Sequence, residues 1–422
     1  MSTASGHLTD AAVEQRVTLK SAAGPLTGIA GVAAALLAVA VLRDWQLPLH
    51  LKTLAVIAAA RMAMAAVDLQ LYRVNLNPMT GLAVAPIRSF NPARTAQKLL
   101  GFWLTIGAVA ALYWLLPVYS EPFYEPFVQI CFYCLPALLI LAPLYIGYVD
   151  RLQIDPHDAY LELALLFSGK RPADWSALAA HARGWAIKGF FLPLMFVFGN
   201  DSLARLMANT SPLGSVQQLF SFGIDLLYLI DVLLAVAAYT LTLRLFDSHI
   251  RSAEPTVAGW VVCLLCYPPF WGAIGAKYLA YDQDGVYWGH FFSGSPVIYV
   301  LWGSAILALV AVYAWATMAF GLRFSNLTNR GIITSGPYRW VKHPAYLCKN
   351  LSYWLISVPF LNSSDWSVAV KSCLALAGVN LIYWLRAVTE ERHLAADPAY
   401  RDYQAFIASD GLWARLRRLA AR

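Results

Sequence analysis

Apolar residues gather into ten stretches along the chain, separated by shorter polar segments. Most stretches approach the roughly 20 residues that a helix needs to cross the ~30 Å hydrocarbon core of a bilayer. We therefore predict an all-α, polytopic bundle of transmembrane helices. The predicted spans are 24–42, 52–69, 98–119, 127–148, 184–199, 219–243, 256–279, 296–320, 349–361 and 366–388. The fifth and ninth are short for a span, and the ninth runs into Pro359 and Asn362.

The composition supports a membrane protein. Of the 422 residues, 59% are hydrophobic and 13% are charged, about half the charged fraction of an average soluble domain. So few charges could not cover the surfaces of the roughly three soluble domains that this length would form. The composition therefore excludes a soluble globular protein, a disordered chain and a disulfide-rich secreted module.

The distribution of basic residues predicts the orientation. If the N-terminus is cytoplasmic and the spans alternate, 25 of the 31 Lys and Arg residues fall on the cytoplasmic side. Five fall on the other side, and Arg61 lies within the second span. Because positive residues concentrate in cytoplasmic loops, we expect both termini in the cytoplasm. The same bias explains the net charge of +7 without a nucleic-acid partner.

The chain divides into four predicted regions. A cytoplasmic tail, 1–23, precedes an N-terminal region of about seven spans, 24–280. The region 296–410 has three spans and carries the candidate chemistry, and the basic tail 411–422 places four arginines among apolar residues. The basic tail 411–422 and the segment near 156–169 combine apolar and charged residues in the pattern typical of helices that lie in a membrane interface. The alanine-rich spans favour a bacterial cytoplasmic membrane, with the endoplasmic reticulum as the alternative.

Candidate binding residues first appear in the loop between the eighth and ninth spans. Gly336 and Pro337 predict a turn. Lys342 and His343 are adjacent donors, and Pro344 suits the first turn of the following helix. Backbone N–H groups at such a helix start, together with two basic side chains, favour binding of an anion.

A second polar segment leaves the tenth span on the same side. It contains Arg386, the adjacent pair Glu390 and Glu391, and the tyrosines Tyr400 and Tyr403. Because the ninth and tenth spans form a hairpin, we expect this segment to lie beside the preceding loop. Two adjacent glutamates at a membrane helix end can bind ribose hydroxyls, an ammonium group or a sulfonium.

In this order and spacing, the two segments resemble a known family. Gly-x-Tyr, a basic-His-Pro-x-Tyr motif, a hairpin of spans, Glu-Glu and a Tyr-x-x-Tyr tail are similar to the isoprenylcysteine carboxyl methyltransferases. Related membrane enzymes that methylate phospholipid amines share much of this pattern. The resemblance covers roughly 296–410. It implies an S-adenosylmethionine-dependent methyltransferase acting at the cytoplasmic face on a lipidic or amphiphilic acceptor, such as a prenyl-thiol carboxylate or a lipid head group.

The resemblance also assigns roles to residues. It implies that the catalytic residues are Arg386, His343 and Glu390. It implies cofactor binding by Gly336, Tyr338, Lys342, His343, Pro344, Tyr346, Glu390, Glu391, Tyr400 and Tyr403. Two positions depart from the family pattern, which usually has Arg at the place of Lys342 and often Gly at the place of Cys348. Lys349 and Asn350 then follow as an unusual polar pair at a helix start. These departures bear on the acceptor more than on the cofactor.

Two other functions stay open at this point. Sterol-type reductases that use NADPH resemble the same fold and can have ten spans, although their cysteine- and tyrosine-rich C-terminal signature is not seen here. A transporter or scaffold would account for the long N-terminal region and its buried charges. Charges inside spans are costly and are usually paired or functional, and we expect Arg61 to pair with Asp231.

Two Cys-x-x-Cys pairs are compatible with a four-thiolate metal site. They are Cys131 with Cys134 and Cys263 with Cys266. Both pairs lie inside apolar spans with i, i+3 spacing, which is simpler to explain by close helix packing around small residues. We therefore predict no metal ligands. The sequence carries no signal about the oligomeric state.

Overall fold

The structure is a computed structural model that describes residues 19–169, 174–209, 211, 213–282, 287–361 and 365–421. Most of the predicted N-terminal tail lies outside the described residues. So do four of the basic residues counted above as cytoplasmic, namely Arg16, Lys170, Arg171 and Arg422. The α-helices are α1 (Pro25–Leu42), α2 (Leu49–Gln70), α3 (Pro92–Leu115), α4 (Glu125–Leu152), α5 (Ala159–Phe167), α6 (Trp175–Ala208), α7 (Val216–Thr240), α8 (Val257–Leu264), α9 (Ala276–Tyr278), α10 (Trp288–Phe291), α11 (Pro296–Phe320), α12 (Pro344–Ser357), α13 (Trp366–Leu394), α14 (Pro398–Asp410) and α15 (Leu412–Ala420).

Eight helices in the described ranges are long and apolar enough to cross a membrane, which confirms the all-α polytopic fold class. They are α1, α2, α3, α4, α6, α7, α11 and α13. The protein is therefore an integral, multi-pass membrane protein. The orientation of its termini stays a prediction.

Two of the ten predicted spans do not form single long helices. In the seventh, α8 ends at Leu264, and Pro268 and Pro269 separate it from a π-helical turn at Trp271–Gly275. Proline has no backbone N–H to continue a helix and its ring clashes with the preceding turn. In the ninth, α12 has only 14 residues and ends at Ser357. Val358, which follows, has a positive φ in the left-handed region and precedes Pro359.

The N-terminal and C-terminal regions pack directly against each other. Gly28 of α1 faces the backbone of α11 so closely that an added Cβ atom would lie 2.2 Å from the carbonyl oxygen of Met318. A short antiparallel ladder then ties the loop before α8 to the loop after α11. Its strands are β1 (Ser252–Ala253) and β2 (Thr328–Asn329), with Ser252 opposite Asn329. These contacts fix the loops that surround the candidate site.

A buried ion network reinforces the same junction. Arg323, at the end of α11, lies 3.1 Å from an Asp68 carboxylate oxygen on α2 and 3.7 Å from Asp247 in the loop after α7. Thr27 of α1 donates a hydroxyl hydrogen bond to Asp68, and Arg251 pairs with Asp247 at 3.0 Å. The network therefore joins α1, α2 and α11 to the loop that carries β1.

The predicted pairing of Arg61 with Asp231 is wrong. The carboxylate of Asp231 accepts hydrogen bonds from the hydroxyl groups of Tyr313 and Thr317 on α11. Within the described part of the chain, no ion pair joins Arg61 to Asp231. Hydroxyl donors on the neighbouring helix satisfy this buried carboxylate, so it needs no basic partner.

The two segments with interfacial patterns are short helices. Asp158 caps α5 by accepting a hydrogen bond from the Leu161 amide, and Gly101 lets α3 approach the backbone of Tyr160. In α15, Trp413 and Leu419 are exposed among the arginines. Such an exposed apolar stripe is typical of a helix lying in a membrane interface, and the location of both helices there stays a prediction.

Candidate functional site

The loop from α11 to α12 turns sharply at Gly336. Its φ of +61° is in the left-handed region, which a side chain disfavours. An added Cβ atom would also lie 3.2 Å from the Ala319 side chain and 3.3 Å from the Trp315 indole nitrogen. After this turn the chain reaches Pro344, which is buried and begins α12. The turn thus delivers Lys342 and His343 to the first turn of α12.

Glu391 is the point at which the predicted segments meet. Lys342 Nζ lies 2.6 Å from one of its carboxylate oxygens and His343 Nε2 lies 3.0 Å from the other. Gln404 of α14 also donates to Glu391, at 3.3 Å. One carboxylate on α13 therefore connects the loop, the start of α12 and α14, as the hairpin argument predicts.

Glu390 and Arg386 contact Tyr346 from different sides. The Tyr346 hydroxyl donates to Glu390 at 2.7 Å, and its ring stacks on that of His343 with centroids 5.3 Å apart. The Arg386 guanidinium carbon lies 5.0 Å from the Tyr346 ring centroid and 5.5 Å from that of Tyr267. These distances are within the range of cation–π contacts.

Arg386 is buried, and its guanidinium donates a hydrogen bond to the side-chain oxygen of Asn326. Although Arg386 and Glu390 are one helical turn apart, the described structure contains no ion pair between them. A buried guanidinium held by an amide and two aromatic rings keeps donors for a further acceptor, because it has five N–H groups.

Three predicted cofactor residues form a packed cluster beside these contacts. The Tyr403 hydroxyl donates to the backbone carbonyl oxygen of Tyr338 at 2.7 Å, and the Tyr338 ring meets that of Phe320 edge-on at 5.1 Å. Burial, and then the charge of Glu390, raise the pKa of Tyr338 well above its usual range. Burial raises the pKa of Tyr403, and the charge of Glu391 adds to the effect. Both phenols therefore stay protonated at neutral pH.

Tyr400 completes this cluster, with its ring centroid 5.9 Å from that of Tyr403. Its hydroxyl is buried beside the Gln404 side chain. These three tyrosines therefore pack against one another, and none of them lines the cleft described next. Their roles in cofactor binding stay predictions.

A cleft of about 500 Å³ opens between α12 and α13. It is lined by His343, Tyr346, Leu347, Asn350, Asn380, Tyr383, Trp384, Ala387, Val388 and Glu391. The Asn380 side-chain oxygen accepts from the Trp354 indole at 2.8 Å, which directs the Asn380 amide nitrogen elsewhere. That nitrogen and the side-chain oxygen of Asn350 are buried without a hydrogen-bond partner in the part of the chain that is described. Such orphaned donors and acceptors are typical of a site that binds a polar ligand.

A smaller pocket of about 30 Å³ lies on the other side of Tyr346. Asn326, Arg386 and Glu390 line it together with Glu254 of the β1 loop. Tyr346 lines both spaces, so its ring separates the open cleft from this enclosed polar pocket.

Sequence reasoning missed the three asparagines. Asn380 carries a recognisable signal, because it is a polar residue within an otherwise apolar predicted span. Asn350 stands out in the sequence only as half of the polar pair with Lys349. Asn326 lies in a polar loop and is brought to Arg386 only by tertiary folding, so the sequence gives no signal for it.

The Cys-x-x-Cys pairs lie on different kinds of surface. Cys131 and Cys134 are exposed on α4, whereas Cys263 is buried in α8. All the cysteines are free. No group of three or more potential metal ligands is gathered within the described ranges.

Comparison with known proteins supports the resemblance. The sequence model of the isoprenylcysteine carboxyl methyltransferase (ICMT) family matches residues 297–396. This range covers α12, α13 and all but the first residue of α11, but it ends before Tyr400 and Tyr403. The chain is also 37% identical over 83 residues to the cobalt-zinc-cadmium resistance protein CzcN of Cupriavidus metallidurans. That match covers 19% of this chain and 36% of CzcN, so the chain spans about a third of its relative. No solved structure matches the chain.

Proposed function

We propose that the protein is a membrane methyltransferase that uses S-adenosylmethionine to methylate a lipidic or amphiphilic acceptor at the cytoplasmic face. The observation that carries this proposal is a set of contacts beside the cleft. Glu390 accepts a hydrogen bond from Tyr346, and Glu391 pairs with His343 and Lys342. These contacts involve the residues that carry the likeness to the ICMT family, whose model matches residues 297–396.

The residues of the cleft fit a nucleoside-containing cofactor. Its volume of about 500 Å³ is within the usual range of small-molecule sites. The exposed indole face of Trp384 suits a purine ring, while the orphaned groups of Asn350 and Asn380 offer an acceptor and a donor for polar edges. Glu391 would hold ribose hydroxyls or the amino group.

S-adenosylmethionine supplies a methyl group on an electron-poor sulfonium sulfur, which takes back the bonding electron pair when an acceptor lone pair bonds to the methyl carbon. The side chains of this protein therefore have to orient the acceptor and exclude water. Arg386 is buried and has donors to spare, so it can position an acidic acceptor. A carboxylate or thiolate acceptor needs no general base, whereas an amine would lose its proton to Glu390 or His343.

We also propose that the membrane is a bacterial cytoplasmic membrane. The alanine-rich spans favour this location, and a bacterial protein is 37% identical to this chain over 83 residues. Mass spectrometry of host lipids with and without the gene would identify the acceptor as a species that is one methylene heavier when the gene is present.

Calorimetry on the purified full chain tests the cofactor. We expect S-adenosylhomocysteine to bind the wild-type protein. Its affinity should fall about tenfold or more in Glu391→Gln, because hydrogen bonds to a charged group contribute roughly 1.5–3 kcal/mol each. Glu125→Gln is the matched control, since Glu125 begins α4 and, among the described residues, its hydrogen bond is to Gln129 on its own helix.

Binding of NADPH in place of S-adenosylhomocysteine would overturn the proposal in favour of a reductase. Equal affinity of the wild type and Glu391→Gln for S-adenosylhomocysteine would remove Glu391 from the cofactor site.

A further inference from the structure

Lys349 is a basic residue in the interior that the site described above does not use. It lies on α12, three residues after Tyr346, which corresponds to about 4.5 Å along a helix. Because α12 begins at the site loop, Lys349 is farther along the bundle than Tyr346 and Glu390.

Tyrosines from four helices surround this side chain. The Lys349 ammonium lies 5.5 Å from the ring centroid of Tyr313 on α11 and 5.8 Å from that of Tyr383 on α13. The Tyr228 ring is 6.3 Å from Tyr313, and the Tyr353 ring is 6.4 Å from Tyr383. We call Lys349 with these four tyrosines the tyrosine crevice.

The crevice retains accessible surface. Lys349, Tyr228, Tyr313 and Tyr353 are only half-buried, although they lie between α7, α11, α12 and α13 rather than on the outside of a single helix. This residual surface, rather than an enclosed cavity, is the route by which a small polar group would reach the ammonium.

The ammonium has no bonding partner in the described structure. A lysine carries three N–H donors and no acceptor, and leaving such a charge unpaired in the interior is costly. Asp231 is near enough to act on it electrostatically, but the carboxylate oxygens of Asp231 already accept hydrogen bonds from Tyr313 and Thr317. Asp231 and Lys349 form no ion pair.

We propose that the tyrosine crevice binds the acidic group, a carboxylate or phosphate, of the amphiphile that accepts the methyl group. Lys349 supplies the charge. The Tyr313 hydroxyl already donates to Asp231, so further donors to the anion come from the other tyrosines of the crevice. The acid would then be held within one helical turn of Tyr346, next to the proposed transfer site, with its apolar chain directed toward the bilayer. This inference rests on the proposed function, and it narrows the acceptor to acidic amphiphiles.

Equilibrium binding to the full chain in phosphatidylcholine nanodiscs tests the proposal. The probes are radiolabelled laurate and dodecyl phosphate, with dodecanol as the uncharged amphiphile of the same chain length. Lys349→Met should weaken binding of both acids about tenfold or more, because it removes a charge-assisted contact. Lys349→Arg should restore binding to within about threefold, and dodecanol should bind all variants alike.

Matched controls separate a specific site from general effects. Lys371→Met removes an exposed lysine from α13 and should leave acid binding unchanged. Inorganic phosphate should compete with dodecyl phosphate only weakly. Equally strong competition would overturn the assignment to an amphiphile and indicate a free anion instead.

Three further results would overturn the proposal. One is unchanged acid binding in Lys349→Met. Another is an equal loss of dodecanol binding, which would show that Lys349→Met merely disturbs packing. The third is failure of Lys349→Arg to restore binding.

Calorimetry with S-adenosylhomocysteine on the same samples distinguishes failure of this inference from failure of the proposed function. If acid binding depends on Lys349 but the protein does not bind S-adenosylhomocysteine, only the proposed methyltransferase function is contradicted. If S-adenosylhomocysteine binds normally and the acids bind Lys349→Met as tightly as the wild type, only the proposed role of the tyrosine crevice is contradicted.

Discussion

Replacing Arg323 should destabilise the folded protein strongly, although the residue lies outside the cleft. Its side chain and that of Asp68 are both 0% exposed, with 3.1 Å between nitrogen and oxygen. Arg323→Gln would leave Asp68 with only the Thr27 hydroxyl, whereas Asp247 would keep Arg251. Removing one partner of a buried pair costs about 3–5 kcal/mol, because the other charge remains buried and uncompensated.

The measurement is the free energy of unfolding in mixed micelles titrated with dodecyl sulfate and followed by tryptophan fluorescence. Arg418→Gln is the control, because Arg418 pairs with Asp410 at 3.2 Å while both are exposed, at 59% and 45%. An exposed pair contributes less than about 1 kcal/mol. In the double variant Arg323→Gln with Asp68→Asn, the loss should be about 2 kcal/mol smaller than the sum of the single losses. A loss for Arg323→Gln as small as that for Arg418→Gln, or strict additivity, would refute this reasoning.

Two further substitutions test the packing behind the site. Gly336→Ala should reduce the free energy of unfolding by about 2–3 kcal/mol, since a left-handed φ costs roughly 1–2 kcal/mol and Trp315 leaves little room for a Cβ atom. Gly169 has a similar φ of +63°, and no described atom lies near the position of an added Cβ atom. Gly169→Ala should therefore reduce the free energy of unfolding only by the cost of the left-handed backbone. Equal losses for the two variants would show that crowding at Gly336 is unimportant. Tyr403→Phe should cost about 1 kcal/mol by removing the hydrogen bond to the Tyr338 carbonyl. The same chemical denaturation measures this change, and an unaltered stability would mean that water replaces the hydroxyl.

The sequence alone is sufficient to predict the membrane bundle, because apolar stretches of span length leave few alternatives in a chain with so little charge. It is also sufficient to predict that the loop with Lys342 and His343 meets the segment with Glu390 and Glu391. A short hairpin of helices brings its two ends together regardless of the packing around it. The contacts of Glu390 with Tyr346 and of Glu391 with His343 and Lys342 result from this short connection.

Other features depend on contacts between residues distant in the chain. The partner of Asp231 could not be predicted, because hydroxyl groups on α11 and a basic residue on α2 are equally suitable by chemistry, and only helix rotation selects between them. The broken seventh and ninth segments have span-like hydropathy, yet prolines and tertiary packing end their helices early. Burial of the tyrosines behind the loop likewise depends on how α14 folds back.

The sequence by itself thus determined that the protein is helical, spans a membrane and gathers its candidate chemistry after the eighth span. It determined these features because hydropathy, basic-residue bias and short connections act locally. Only the tertiary structure decided that Asn326 reaches Arg386, that Asn350 and Asn380 line one cleft, and that Lys349 lies unpaired among four tyrosines. These arrangements depend on the relative positions of helices far apart in sequence, which burial and side-chain complementarity fix only in the folded chain.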